Sequence, residues 1–426
     1  MESTIIKEIS GRIKRASNKI GKELNLPQRR CISDMLYGIL GSTDTKLSSI
    51  SRALQEEVAL GYTIKRLSRN LKQMEITDSV NSYMSSQRLH HLESEEIIAI
   101  DGGDIRKNYA EKMEYLHRVY DGSEKQICNG YNLFCMATIG SESVRPLYGE
   151  LYSAADPEYK STYNVVTKAL DMLKEKAKGR PRLTVVSDRG YDDEKLFRYY
   201  LKNDMRFITR LRQNRNFMIE GSTLERSVGD LYGFVKSKKI AGEVIHEGIL
   251  KSSKIEVALL HGKVNHIDEE LSVIVIKASL YPKPMYLLTN IPVENLKQAY
   301  KIYVKYLKRW GIELLYRVMK EKFNLEDIRV LKYRCLRNIF SLLMAGIYLI
   351  SKIVYKVGNN TEQTFKNILN KAMRLKKTGH FLYYAIADGL QAIIRKISQR
   401  PPIFEKNYWQ PPAYSLFYKF NNRKNG

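Results

Sequence analysis

Short apolar runs, each ending at an acid, mark the middle of this chain. Residues 97–100 read Ile-Ile-Ala-Ile and lead to Asp101, and residues 183–187 read Leu-Thr-Val-Val-Ser and lead to Asp188. Such runs predict buried strands, and the glycines within two residues of each acid predict turns. Further strands are predicted at 131–139, 144–152 and 205–212, and amphipathic helices at 163–176 and 194–201. This order of elements predicts a mixed α/β sheet.

Regions of different texture flank the predicted sheet. Residues 1–93 have apolar positions every three or four residues and many Lys and Arg on the other faces, which predicts a basic helical domain. It is either a DNA-binding headpiece or a helical cap on the next domain. The predicted organisation is helices at 1–93, a core at 94–213, a β-rich insertion at 214–290, more core at 291–356 and a basic helical C-terminal region at 357–426.

One predicted helix, over 293–323, carries an unusual set of polar residues. At about 100° per residue, Tyr306, Arg309, Glu313, Arg317 and Lys320 fall within an arc of roughly 80°. A single carboxylate is thus surrounded by cations and a phenol, which suits a metal-binding acid flanked by phosphate contacts. The same spacing is also typical of a solvated face with i,i+4 ion pairs, so the helix alone does not decide between the two.

Composition favours a polyanionic partner. The chain has 71 Lys+Arg against 46 Asp+Glu, a formal net charge of +25 and a pI near 9.6. It has no run of eighteen apolar residues, and its N-terminus lacks the pattern of a signal peptide, so we expect an intracellular protein that does not span a membrane. The spacing of its four cysteines indicates neither a disulfide framework nor a zinc site, and no Gly-rich phosphate loop indicates ATP dependence.

The acids are candidates for a metal site. If the strands before Asp101 and Asp188 are neighbours, the two carboxylates converge at one edge of the sheet, and Glu313 can join them from the helix alongside. Crowded carboxylates need a counter-charge, and Mg²⁺ prefers oxygen ligands and often binds carboxylates together with phosphate oxygens. Two such ions about 3.5–4 Å apart would activate the attacking oxygen and stabilise the leaving oxygen of a phosphodiester displacement.

Each acid also has an ordinary interpretation. Asp101 before two glycines is common in turns, and Asp188 is equally suited to a turn or a helix cap. Other acids that compete for the same role are Asp104, Asp192, Asp193, Glu321 and Glu326.

A second basic feature lies on the strand predicted at 205–212. Arg206, Arg210 and Arg212 share one face of that strand, which could form a phosphate-facing stripe near the acids. A charged edge strand protected from pairing is the alternative.

The combination of these residues resembles a known family. The spacing Tyr306-x2-Arg309-x3-Glu313-x6-Lys320 matches the Tyr-Arg-Glu-Lys signature of bacterial insertion-sequence transposases of the DDE superfamily, in the group typified by insertion sequence four. The strand ending at Asp101, the Val-Ser-Asp-Arg-Gly-Tyr segment around Asp188 and the Leu-Thr-Asn-Ile lead-in at 288–291 are also similar to that group. The resemblance spans roughly 95–355.

The resemblance implies a ribonuclease-H-like catalytic core in which Asp101, Asp188 and Glu313 bind two Mg²⁺ ions, with Mn²⁺ as a substitute. Tyr306, Arg309, Arg317 and Lys320 would contact DNA, and we assign Arg210 and Arg212 to the same surface. The implied enzyme binds terminal inverted repeats, cuts them and joins the 3′ ends to target DNA by cut-and-paste transposition. It would act as a homodimer on double-stranded DNA in the bacterial cytoplasm, associated with the nucleoid.

Some implications of the resemblance stay open. Relatives excise through a hairpin helped by a tryptophan of the insertion, whereas the tryptophans here, Trp310 and Trp409, lie outside it, so Tyr232 or Phe234 would have to substitute. Two other functions remain as alternatives: a ribonuclease-H-like nuclease that cuts without strand transfer, and a domesticated transposase that only binds DNA.

Overall fold

A computed structural model describes most of the chain up to residue 395. The described residues are 2–89, 97–122, 124–140, 143–178, 183–231, 233, 235–246, 249–264, 267–281, 283–355, 361–375 and 381–395. Tyr232, Phe234 and Trp409, considered above for a hairpin step, lie outside them.

Helices form both ends of the described chain and cover the sheet between them. They are α1 (Glu2–Ile20), α2 (Leu26–Ser42), α3 (Leu47–Leu54), α4 (Leu60–Gln73), α5 (Thr77–Leu89), α6 (Thr162–Lys176), α7 (Glu194–Lys202), α8 (Val228–Leu231), α9 (Leu296–Lys308), α10 (Gly311–Arg317), α11 (Tyr333–Tyr355), α12 (Thr361–Lys371) and α13 (Phe381–Arg395).

Twelve described strands form one mixed sheet. They are β1 (Ile97–Arg106), β2 (His117–Asp121), β3 (Gln126–Ile139), β4 (Val144–Tyr152), β5 (Thr184–Ser187), β6 (Arg206–Arg210), β7 (Asn216–Ile219), β8 (Glu225–Ser227), β9 (Lys238–His246), β10 (Ile249–Val264), β11 (Leu271–Ala278) and β12 (Met285–Thr289). The prediction of a mixed α/β fold with helical ends is confirmed.

β1, which contains Asp101, and β5, which precedes Asp188, are neighbours. Asp188 directly follows β5, but β1 continues past Asp101 through Gly102 and Gly103 to Arg106, so the strand end and turn predicted at these glycines are wrong. β1 pairs antiparallel with β3, which pairs antiparallel with β4, while β5 runs parallel to both β1 and β6. Ala99 pairs with Val186 across the parallel ladder, so the same register continued by two residues brings Asp101 alongside Asp188. Adjacent strands lie about 4.8 Å apart, so the two acids stand side by side, Asp188 just past the end of β5 and Asp101 midway along β1.

Alternation along β1 decides which layer each residue faces. Ile98 and Ile100 pack with α6 and α7, whereas Ile97 and Ala99 pack in the core that contains α10 and α11. Side chains alternate with a period of two along a strand, so Asp101 projects toward the layer of α10. This geometry brings the first acid to the helix that carries Glu313.

The segment 214–290 continues the same sheet. β12 pairs antiparallel with β6, β11 with β12, and β10 with β11, while β7 and β9 each pair with β10. The alternating apolar residues of β11 are buried on both faces, which follows from this position inside the sheet.

The N-terminal helices are fastened to the C-terminal part of the chain. Asn338 of α11 donates hydrogen bonds to the carbonyl oxygens of Leu71 and Met74, at 2.8 and 2.7 Å. Cys31 and Cys335 contact the backbone carbonyls of Leu67 and Ser68 at 3.9 and 3.7 Å. One side of α4 is therefore held against α2 and α11, and its other side faces solvent.

The long apolar helix α11 is a helix of the protein core. Residues 333–353 are apolar and long enough to cross a membrane, but 83% of the most apolar window is buried inside the protein. α11 packs against β4, α2, α5 and α13, which accounts for its hydrophobicity.

Candidate active site

Asp101 lies at the point where β1 leaves the core. Its side chain is 17% exposed, and its carboxylate accepts hydrogen bonds from the Arg309 guanidinium at 3.0 Å and from the backbone N–H of Gly102 at 2.9 Å. Burial raises the pKa of Asp101 to about 7, with the nearby charges of Asp188 and Glu313 adding to the effect and Arg309 opposing it. The carboxyl group therefore sits in a site that needs positive charge.

Asp188 directly follows β5 and begins a short 3₁₀ turn, Arg189–Tyr191. Its side chain accepts a hydrogen bond of 2.8 Å from the backbone N–H of Gly190, which fixes the carboxylate beside the strand end. The prediction that Asp188 caps a turn and the prediction that it lies beside Asp101 are thus compatible, because the cap uses a single oxygen.

The helix predicted over 293–323 is divided into shorter parts, which corrects the single-helix prediction. α9 ends at Lys308, and the turn at Arg309 and Trp310 uses tighter hydrogen bonds, from Arg309 N to Tyr306 O at 3.0 Å and from Trp310 N to Leu307 O at 3.2 Å. α10 then begins, and residues Val318–Lys322 form a π-helical turn. The tighter turn at residues 309–310 and the wider turn at 318–322 depart from the uniform helix on which the predicted arc of roughly 80° is based.

Gly311 allows this turn to lie close to the sheet. A Cβ atom at position 311 would stand 2.8 Å from Cγ2 of Ile139 and 3.2 Å from Cγ2 of Val144. The start of α10 therefore approaches β3 and β4 more closely than a larger residue permits, which brings the first turn of α10 to the sheet.

Glu313 lies in that first turn of α10. Its carboxylate accepts a hydrogen bond of 3.2 Å from the Arg309 guanidinium, and its side chain is 32% exposed. Burial raises the pKa of Glu313, while Arg309 and Arg317 act in the opposite direction. A half-buried acid thus faces the same cation as Asp101.

Arg309 joins the two acids. Its Nη1 atom contacts Asp101 and its Nη2 atom contacts Glu313, and the side chain is only 11% exposed. The guanidinium also lies over the ring of the buried Tyr306, 5.9 Å from the ring centroid. Its Nε atom is buried and has no hydrogen-bond partner among the described residues. One guanidinium is therefore shared between two carboxylates, with Asp188 close enough to influence its charge.

The carboxylates of this site are not arranged as a complete metal-binding site. Within the described ranges, no three His, Cys, Asp or Glu side chains stand close enough together to hold a metal ion. Arg309 occupies the space through which Asp101 and Glu313 would otherwise share a cation.

A basic cleft of about 1030 Å³ opens beside Asp188. Its lining combines one acid, among the residues that the structure describes, with several cations and aromatic rings. Those that matter for binding are Asp188, Arg189, Arg210, Arg212, Lys283, Arg309, Tyr281, Tyr306 and Trp310. Such a cleft matches the charge and the planar bases of nucleic acid.

The middle of the chain matches a known protein family. The sequence model of the transposase DDE domain family matches residues 93–350, more than half of the chain. The chain belongs to the transposase DDE domain family. Among solved structures, the piggyBac transposase in a cryo-EM synaptic complex with hairpin DNA aligns at a TM-score of 0.40 and 11% identity, over 86% of this chain and 78% of that chain. No curated protein matches the chain.

Two cations of the DDE domain chain lie farther along the same helical segment. Lys320 is 3.3 Å from Asp104 and 3.2 Å from Glu326, so it is paired with acids in this structure. Arg317 is exposed at the end of α10. Lys320 and Arg309 thus pair with different acids of β1, Asp104 and Asp101.

In the fold, the arginines predicted to form a basic stripe on β6 differ in position and exposure. β6 lies between β5 and β12, so it is not an edge strand and the protective interpretation is wrong. Arg206 and Arg210 are half-buried at the ends of β6, with the fully buried Ile208 between them. Arg212 lies beyond the strand, exposed, and its backbone N–H donates to Asp192. Arg210 and Arg212 both line the cleft.

The competing acids of the transposase domain have other partners. Asp104 and Glu326 pair with Lys320, and Asp192 is buried against Arg215 at 2.8 Å. Asp193 caps α7 by accepting from the backbone of Lys195, and Glu321 accepts from the hydroxyl of Tyr384. These contacts account for each of these acids without a metal.

Sequence reasoning missed two half-buried tyrosines at this site. Tyr316 donates a hydrogen bond of 2.8 Å to the backbone carbonyl of Asp101, and Tyr191 lies near both Asp101 and Asp188. Their signals are weak in the sequence. Tyr316 stands three residues after Glu313, and Tyr191 stands three residues after Asp188.

Proposed function

We propose that this transposase binds the terminal inverted repeats of an insertion sequence, cuts the DNA there and joins the freed ends to a target by a cut-and-paste route. The single observation that carries the proposal is the pairing of Asp101 and Glu313 with the guanidinium of Arg309, which lines a cleft together with Asp188 and several cations and rings. Membership in the transposase DDE domain family supports the same chemistry.

Asp101, Asp188 and Glu313 would hold the divalent ions, Mg²⁺ or Mn²⁺, of this enzyme. The donor set fits, because Asp101 and Glu313 share one buried guanidinium, Asp188 lies near both of them, and carboxylate oxygens are ligands that Mg²⁺ prefers. When bound, two such ions supply activation of the attacking oxygen and stabilisation of the leaving oxygen. The cap from Gly190 and the bond from Gly102 orient the carboxylates of Asp188 and Asp101 for this task.

The order of the strands supports a ribonuclease-H-like core. The path β4-β3-β1-β5-β6 has three antiparallel strands followed by two parallel ones, with α6 and α7 as the crossover helices. We infer that residues 94–213 and 291–356 form this core around an insertion at 214–290. In that arrangement, Asp101 within β1 and Asp188 just past β5 lie on neighbouring strands.

The cleft residues would position the transposon end. Arg210, Arg212 and Tyr306 line the cleft beside Asp188, and contacts from such groups to phosphates fix the register of DNA without reading its sequence. Arg317 is exposed next to this helix turn, and Lys320 would reach phosphate only by leaving its carboxylate partners.

A further DNA contact is proposed on α4, within the helical region 1–93. Its solvent side carries Tyr62, Lys65, Arg69 and Lys72, spaced so that they share one face, and the helix contains no acid. Its other side is fixed to α2 and α11 by the buried contacts described above. A rigid, purely basic face with an aromatic ring suits the DNA backbone.

The decisive experiment uses the purified full chain and the DNA that flanks its reading frame. A labelled duplex carrying an imperfect inverted repeat, incubated with Mg²⁺ or Mn²⁺, should be nicked at the repeat end and joined to a second duplex. Nicking without joined product would favour a nuclease without strand transfer. Binding without nicking would favour a domesticated DNA-binding protein. Cross-linking on the same duplex tests the proposed homodimer.

A further inference from the structure

Arg309 has two contacts that a metal ion would also need. Its Nη1 atom lies 3.0 Å from Oδ2 of Asp101, and its Nη2 atom lies 3.2 Å from Oε1 of Glu313. Both oxygens belong to carboxylates that the proposed function assigns to metal binding. A divalent cation bound between these two oxygens would lie next to the guanidinium charge, so the two cations repel each other and compete for the carboxylates.

Deprotonation cannot neutralise the guanidinium of Arg309. Arginine stays charged at any accessible pH, so it ceases to neutralise the carboxylates only by moving. Its departure without a replacement would leave the largely buried Asp101 and the half-buried Glu313 without their common counter-charge, which is costly. The movement of Arg309 and the arrival of a cation must therefore occur together.

The guanidinium of Arg309 also borders the cleft. Arg309 belongs to the lining of the cleft together with Asp188, Tyr306 and Trp310, so its side chain borders both the carboxylates and the space for DNA. Arginine binds phosphate oxygens with paired hydrogen bonds, as it binds carboxylates. A DNA phosphate in the cleft would thus offer Arg309 an equivalent partner.

We propose that Arg309 is the resident counter-ion of Asp101 and Glu313 in the DNA-free protein, and that DNA phosphate draws it away and opens the carboxylates to metal. This inference rests on the proposed function and adds a regulation of the same site. It couples the two ligands, since whatever draws Arg309 toward the cleft strengthens metal binding, and metal binding strengthens DNA binding by the same factor. The enzyme would then assemble its metal centre only on DNA.

A purely structural ion pair is the competing explanation. In that case Arg309 holds α10 to β1, and its removal loosens the carboxylates, so that metal affinity falls or stays the same. The two explanations predict opposite changes in the same measurement, which makes the metal affinity of the DNA-free protein the readout.

The test is a titration of the full chain with Mn²⁺, in which binding is measured by calorimetry and by the electron paramagnetic resonance signal of free Mn²⁺. The variants are Arg309→Gln, Arg309→Lys and, as a matched control, Lys301→Gln, which removes an exposed cation about two turns earlier on α9. Without DNA, Arg309→Gln should bind Mn²⁺ on the order of tenfold more tightly than the unaltered protein. Lys301→Gln should match the unaltered protein.

A second arm adds a duplex with the inverted repeat. The unaltered protein should then gain Mn²⁺ affinity, whereas Arg309→Gln should gain much less because its carboxylates are already open. Combining Arg309→Gln with Asp101→Asn should abolish the tighter binding, which assigns it to this site. Circular dichroism checks that each variant is folded. Arg309→Lys, which keeps a cation but loses the forked guanidinium, is a second control for a folding defect.

The outcomes separate the inference from the function on which it rests. If the unaltered protein cuts the repeat but Arg309→Gln binds Mn²⁺ equally or less tightly without DNA, the counter-ion role is overturned and the transposase function stands. If the unaltered protein neither gains Mn²⁺ affinity on DNA nor cuts it, the proposed function fails together with the inference.

Discussion

The hydroxyl of Tyr316 donates a hydrogen bond of 2.8 Å to the backbone carbonyl of Asp101. This contact joins α10 to the middle of β1, so the helix that carries Glu313 is held in a fixed position against the strand that carries Asp101. Gly103 permits the close approach, because a Cβ atom there would stand 2.7 Å from the Tyr316 ring.

Tyr316→Phe should weaken catalysis without removing a metal ligand. The substitution leaves the carbonyl of Asp101 without its donor, which costs about 1–3 kcal/mol of stability and loosens the first acid. We expect slower DNA nicking and a lower urea midpoint, with DNA affinity unchanged. Tyr384→Phe, which removes a hydroxyl contact to Glu321, is the control and should retain normal nicking. Unchanged nicking by Tyr316→Phe would show that the bond does not position Asp101.

Asp188→Asn should abolish metal-dependent nicking while the DNA affinity is kept. The amide removes the charge of a metal ligand, but its oxygen still accepts from Gly190, so the turn persists. Gel-based cleavage and fluorescence anisotropy on the same labelled duplex measure the two properties. Asp193→Asn, an acid five residues later that caps α7, is the matched control and should nick normally. Full nicking by Asp188→Asn contradicts the assignment of the acids.

Lys65→Ala and Arg69→Ala on α4 should weaken DNA binding. Each removes one exposed cation from the proposed contact face, so the slope of log K against log salt should decrease in magnitude by about 0.9 per substitution. Anisotropy at several salt concentrations gives this slope. Lys19→Ala, an exposed cation on α1, controls for the loss of general charge. Slopes equal to that of the control would leave α4 as a helical cap.

Lys320→Ala has two expected effects because Lys320 is paired with Asp104 and Glu326. If Lys320 moves to phosphate on DNA, the salt slope should decrease in magnitude by about one. Lys320→Arg keeps the charge and should keep the slope. A loss of unfolding free energy in Lys320→Ala with an unchanged salt slope would assign Lys320 to structure alone.

Lys107 should make stability depend on pH. Its side chain is 7% exposed and donates to the backbone carbonyls of Glu326 and Ile328, and burial lowers its pKa to about 8 from an ordinary value of 10.5. Between these values the unfolded chain binds more protons than the folded one, so the unfolding free energy should rise with pH.

Urea unfolding measures this effect in the unaltered protein and in Lys107→Met. Between about pH 7.5 and about pH 9.5, the unaltered protein should gain roughly 1–2 kcal/mol relative to Lys107→Met. Lys112→Met, which removes an exposed lysine nearby, should follow the unaltered protein. Parallel pH profiles for all three proteins would contradict the lowered pKa.

Much of the sheet could be predicted because its signals are local. The runs before Asp101 and Asp188 are apolar because both faces of β1 and β5 are buried, and the acids follow at the first exposed positions. The predicted strand at 144–152 coincides with β4, and α6 begins one residue before the predicted helix. Such patterns need only the neighbouring residues.

The site could be predicted less completely because its contacts are distant along the chain. Helical spacing assigned Arg309 to phosphate together with Lys320, whereas in the fold Arg309 meets Asp101 and Lys320 meets Asp104. The turn at Trp310 and the π-helical turn at Val318–Lys322 interrupt the helix between these residues, and helical spacing predicts neither of them. The pairing of β12 with β6 is likewise invisible in the local pattern.

That pairing of β12 with β6 limits how this protein can vary in size. Leu288 pairs with Thr209 across the ladder, so cutting out residues 214–290 would expose a row of unsatisfied backbone groups on the strand that borders β5. A shortened protein would tend to associate with other chains through this exposed strand edge. Insertions and deletions should therefore be tolerated in the connections between these strands, while the strands themselves are indispensable to a soluble enzyme.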